Sequence, residues 1–105
     1  MAVTLLGAAE ALPSAVLTSE EVEDRIREAS GVRLPRGILR RTTGIDRRHV
    51  AADDECASTR AARAGVRALE RAAVDAADVD LLVFAAASRD FVEPATAHVV
   101  AHELG

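Results

Sequence analysis

Apolar residues enter this chain in two patterns, short unbroken runs and helical stripes, and their alternation predicts its layout. Residues 3–9 form a short apolar run closed by Leu12-Pro13-Ser14, which suits a buried strand. Thr18-Ser19-Glu20-Glu21 follows, an N-cap with acids in the first turn, and Val22, Ile26 and Ala29 then share one helical face. Ser30-Gly31 ends that helix, and residues 32–41 make a connector holding Leu34-Pro35 and Gly37, with room for a short helical turn before Thr42. Residues 43–50 read as a turn and a polar strand, and Asp53-Asp54-Glu55 as an acidic loop. Over residues 57–73, with Ser58 as the expected cap, Arg60, Arg63, Arg67, Glu70 and Arg71 form a polar stripe. Opposite them lies a small-residue face of Ala61, Ala62, Gly65, Ala68, Leu69 and Ala72. Residues 81–87 are continuously apolar, the pattern of a central parallel strand covered on both faces. A last helix is expected over residues 95–104, with Pro94 in its first turn behind Glu93. Strand and helix alternate three times, which argues for α/β layers.

Composition narrows this picture. A chain of 105 residues is one domain at most. Half of it is apolar, yet Phe84 and Phe91 are its only aromatic residues and many side chains are alanine, which fill space only where backbones pack closely. All thirteen basic residues are arginine and they are scattered through a chain of net charge −4, so no nucleic-acid footprint is present. Cys56 stands alone and forms no internal disulfide, no apolar run reaches the ~20 residues of a membrane span, and the opening residues lack a basic n-region. A cytoplasmic protein without a membrane span is the expectation.

Few residues offer chemistry. Cys56 is the only thiol, but the acids before it disfavour a thiolate, and a structural role is expected. His98 and His102 share a helical face at a spacing that suits zinc, but Val99 stands where the zincin signature needs glutamate and no third ligand is evident, so no metal site is expected. Arg40-Arg41 and Arg47-Arg48-His49 flank Thr42-Thr43-Gly44, an arrangement suited to gripping phosphates or equally to a solvated turn. Glu93 follows the apolar run and opens the last helix. On residues alone it is either a functional carboxylate at a strand's C-terminal end or an acid complementing the helix dipole.

Taken in order, these segments resemble a family. Leu6-Gly7-Ala8 to Leu12-Pro13, Thr43-Gly44-Ile45-Asp46-Arg47-Arg48, residues 55–73 and residues 79–86 are similar to the N-terminal part of ketoacyl-acyl-carrier-protein synthase III and its thiolase-superfamily relatives. Arg89-Asp90-Phe91-Val92-Glu93-Pro94-Ala95-Thr96-Ala97, with Leu34-Pro35-Arg36-Gly37, resembles the branch that condenses two long-chain acyl-CoAs head to head at the start of olefin biosynthesis. The resemblance implies an α/β fold, the incomplete N-terminal half of a thiolase-like αβαβα fold, with residues 1–105 ending before the catalytic cysteine. It assigns Glu93 as a catalytic general base reaching across a dimer. Two departures touch thioester binding. Ile38 stands where synthase III enzymes typically have a tryptophan that stacks on adenine, and Thr42 where they have an arginine, which leaves Arg41 and Thr42 as the substrate-binding candidates.

The same resemblance implies a Claisen condensation of acyl-CoA or acyl-carrier-protein thioesters, with no further cofactor. The family's cysteine, histidine and asparagine match positions beyond Gly105, so a second polypeptide or downstream segment is the expected partner. The alternatives are a non-catalytic remnant or interaction subunit pairing with a full-length protein, and an ester-forming acyltransferase of secondary metabolism.

Overall fold

Thr18 starts the first helix by local chemistry alone. In the computed structural model, which describes residues 1–105, its hydroxyl accepts from the Glu21 amide while the Glu21 carboxylate accepts from the Thr18 amide at 2.7 Å. This reciprocal capping box satisfies two otherwise orphaned donors. Helix α1 spans Ser19–Ser30 and stops at Gly31, whose left-handed backbone lets its amide reach the Arg27 carbonyl.

The chain divides into two compact units, residues 13–53 and residues 1–12 with 54–105. The first unit is held by a two-stranded antiparallel ladder, strand β1 (Ala15–Thr18) on strand β2 (Arg47–Val50), with Ala15 opposite Val50 and Thr18 opposite Arg47. Between them lie α1 and the short helix α2 (Ile38–Thr43). Polar groups do much of the stitching. Ser19, 2% exposed, donates its hydroxyl to the Ile45 carbonyl and its amide to Asp46 at 2.8 Å. The Nδ1 of His49 lies 2.6 Å from the Pro13 carbonyl.

Glu23 is the unexpected member of this unit. The sequence pattern puts it beside solvent-facing acids, yet it is only 6% exposed and its two oxygens accept from the Gly37 amide at 2.8 Å and the Leu39 amide at 2.9 Å. Those bonds, Leu39's first, hold its pKa below the usual carboxylate value against the opposing effect of burial, and the charge of Arg41 helps. A depressed carboxylate pKa stabilises the fold above the unfolded value, and that contribution is lost as pH falls through the lower folded value. Glu23→Gln, which presents an amide NH2 to one of two donors, is expected to lower Tm at pH 7. The gap from the parent should close as pH falls below ~4, the unfolded glutamate range. Parallel Tm profiles from pH 7 to pH 3 would show that Glu23 carries no such linkage.

The second unit is built on helix α3 (Ala57–Ala72), against which helix α4 (Thr96–Leu104) packs. The predicted small-residue face is the packed one: Ala62 is buried, while Ala61, Gly65, Ala68, Leu69 and Ala72 are half-buried. A Cβ on Gly65 would sit 2.9 Å from a Leu104 methyl, so the absence of a side chain sets how closely the two helices approach. A 3-10 turn, Ala76–Asp78, is capped by the Asp75 side chain on the Ala77 amide at 3.0 Å.

Three expectations need correction. The apolar runs and the helix caps account for two of them, and the polar stripe of α3 for none. The apolar runs at residues 3–9 and 81–87 form no strand ladder; the only ladder is β1 with β2. Residues 81–84 keep a strand's alternation, with Leu82 and Phe84 half-buried and Leu81 and Val83 78% and 77% exposed, so only one face is covered. Finally, α3 is capped at Cys56 rather than Ser58, and α4 begins at Thr96 with Ala95 as its cap.

Candidate functional site

Residues 88–95 connect the second apolar run to α4 as an irregular loop, and one residue fixes it. The N-terminal end of α3 has orphaned amides that its own cap cannot serve, since the Cys56 side chain makes no capping bond. Asp90 serves them from a distance. Its Oδ1 accepts from the Ala57 amide at 2.8 Å and its Oδ2 from the Ser58 amide at 2.7 Å. The Ser58 hydroxyl, the Ser58 amide and the Ala57 amide together hold the Asp90 pKa below its ordinary value, with desolvation opposing them.

Three residues further on, Glu93 is exposed and makes no hydrogen bond or ion pair. The Glu93–Pro94 peptide bond is cis. Glu93 borders a cavity of about 400 Å³ shared with Phe84, Arg89, Phe91, Val92 and Thr96. Thr96, 5% exposed, has a buried hydroxyl without a partner. The carboxylate is therefore free to act on a molecule in this cavity, and the aromatic and aliphatic walls suit an apolar chain.

The other candidates are placed differently. Arg41 and Thr42 sit on α2 in the first unit, whereas Glu93 belongs to the second. The Thr42 hydroxyl donates back to the Ile38 carbonyl at 2.8 Å, which occupies its proton inside the helix. Arg40 is paired with Asp46 at 2.5 Å, while Arg41 is exposed with no ion pair. Cys56 is exposed at the N-cap of α3, and His98 and His102 are both exposed on α4. No three His, Cys, Asp or Glu side chains come together as a metal-binding group, and no helix is long and apolar enough to cross a membrane. Asp90 is the residue that sequence reasoning missed. Its signal was an acid inside the Arg-Asp-Phe-x-Glu-Pro motif facing a helix start with no side-chain cap of its own.

Comparison with known proteins agrees with this arrangement. No family profile matches the chain. It is 38% identical over 99 residues to the beta-ketoacyl-[acyl-carrier-protein] synthase III of Hyphomonas neptunium, covering 94% of this chain and 29% of that protein. The Methylococcus capsulatus synthase III is 42% identical over 94 residues, covering 90% of this chain and 27% of that protein. Among solved structures, synthase III from Xanthomonas oryzae superposes with a TM-score of 0.81 at 31% identity, over 97% of this chain and 30% of that one. OleA from Xanthomonas campestris, crystallised with lauric acid and lauroyl-CoA, gives a TM-score of 0.77 at 30% identity, over 96% and 30%. The chain thus spans about three tenths of the length of the relatives it matches. Over that span it belongs, as an N-terminal part, to the thiolase-like family of beta-ketoacyl-acyl-carrier-protein synthase III condensing enzymes.

Proposed function

We propose that this chain supplies the carboxylate-bearing part of a thioester condensing enzyme of the 3-oxoacyl synthase III type, acting on long acyl chains in the manner of the olefin branch. The observation that carries the proposal is the unpaired Glu93 carboxylate at the edge of a cavity walled by Phe84, Phe91 and Val92, in a chain with synthase III relatives. The reaction has two steps. A cysteine of the complementary segment or second polypeptide attacks an acyl thioester, forming a new thioester and releasing the coenzyme or carrier thiol. Glu93 then takes a proton from the α-carbon of a second acyl thioester; that carbon attacks the acyl-enzyme carbonyl, and the cysteine leaves as thiolate. Because Glu93 needs no partner within this chain, its carboxylate is available to a site across a subunit boundary, which supports a dimer. Arg41, exposed and unpaired, is the residue suited to a phosphate of the incoming thioester, with Thr42 beside it.

Labelling with radioactive acyl-CoA tests the division of labour. The 105-residue chain alone is expected to stay unlabelled, because Cys56, its one thiol, follows Asp53-Asp54-Glu55 and sits at a helix end already occupied by the Asp90 carboxylate. Joined to a segment supplying cysteine, histidine and asparagine, the assembly is expected to take up one acyl group per active site on that segment's cysteine. Stoichiometric label on Cys56 would overturn the proposed roles.

A further inference from the structure

We infer that Asp90 is a positioning residue for condensation: by clamping the Glu93 loop to the N-terminal end of α3, it fixes where the Glu93 carboxylate stands. The inference rests on the reading of Glu93 as the condensing base. Its observations are geometric. Residues 88, 89 and 91–94 make no hydrogen bond or ion pair, so Asp90 is the loop's only polar tie. That tie is a two-oxygen grip on consecutive amides, 33 and 32 residues distant in sequence. A bidentate carboxylate fixes orientation as well as position, whereas a single bond leaves the loop free to swing. It also lands on a rigid support, because Ser58 is 2% exposed at the start of a helix packed against α4. Glu93 is three residues along the chain from this anchor. A reacting carboxylate displaced by ~1 Å can cost about a hundredfold in rate, so an anchor this close to the base acts on the chemistry as well as on the fold.

The competing role is that Asp90 only caps α3, and the vacant side-chain cap at Cys56 allows the two to be separated. A serine there is able to satisfy an amide of the first turn without touching the loop. The test uses the chain joined to its complementary cysteine-bearing segment and follows three quantities: hydrogen exchange at the Ala57 and Ser58 amides, acylation of the cysteine, and the condensation step. Asp90→Ala is expected to speed exchange at both amides about tenfold or more, leave acylation at the parent rate and slow condensation about tenfold or more. Asp90→Asn, which keeps one acceptor, is expected to fall between the two and serves if the alanine variant folds poorly. Adding Cys56→Ser to Asp90→Ala is expected to restore thermal stability but not condensation. Recovery of condensation together with stability would show that Asp90 is a cap and nothing more. Parent-rate condensation in Asp90→Ala, while Glu93→Gln is slow, would overturn the inference and leave the base assignment standing. Parent-rate condensation in Glu93→Gln would remove both, with the exchange data still reporting the tether.

Discussion

Glu93→Gln is expected to slow carbon–carbon bond formation by about a hundredfold or more while acylation of the cysteine proceeds at the parent rate. Glutamine keeps the shape and one acceptor oxygen but cannot take the α-proton, so only the second step should feel the change. The structure makes the substitution clean, because Glu93 has no hydrogen bond or ion pair to lose. A helix-dipole role would predict a different pattern, a loss of under ~1 kcal/mol in stability with unaltered chemistry. Single-turnover kinetics on the assembled enzyme, with acylation and condensation timed separately, distinguishes the two. Condensation at the parent rate, accompanied by a small fall in Tm, would reduce Glu93 to a residue of the α4 entrance.

The second large effect is expected at Gly7. A Cβ built there would lie 2.9 Å from the Ala68 carbonyl oxygen, 3.1 Å from the Ala72 Cβ and 3.2 Å from the Ala72 amide. Two of these three neighbours are main-chain atoms of a helix interior, which cannot yield as a side chain end can. Gly7→Val is therefore expected to push the opening segment off α3 and cost ~1–3 kcal/mol, the usual range for overpacking. It should also stretch the arginine bonds to Ala8, Glu10 and Ala11. Limited proteolysis should then cut within residues 1–12 under conditions that spare the parent. Gly65→Val is the informative comparison, since its obstacle is the flexible end of Leu104, and the milder loss belongs there. An unchanged Tm in Gly7→Val would mean that the segment does not need its close approach.

What could be read from the sequence was local. The Thr18–Glu21 capping box, the Gly31 stop and the small face of α3 depend on residues within a few turns of one another, and all three stand as predicted. What escaped notice was made by partners far apart. Arg60 reaches a carbonyl 49 residues away and Arg71 one 63 residues away, and nothing in a helical stripe distinguishes a guanidinium that meets water from one that meets a main chain. Glu23 failed for a related reason: its burial is set by the amides of Gly37 and Leu39, 14 and 16 residues on. The apolar runs at residues 3–9 and 81–87 were visible as extended, but pairing is a property of neighbours, and a periodicity cannot supply one. For the candidate site, position and motif drew attention to Glu93, whereas Asp90, in the same motif, became meaningful only with α3 beside it.

The arginine row of α3 bears on how this segment can change over evolutionary time. A guanidinium that accepts any peptide carbonyl is indifferent to which amino acid carries it. Residues 8, 10 and 11 are therefore free to drift in identity so long as the main chain keeps its course, while Arg60, Arg67 and Arg71 are not. Lysine, a point charge without the planar fork, is a poor substitute at those three places. Variation among descendants should thus be lopsided, permissive on the strand-like side of the contact and restrictive on the helical side.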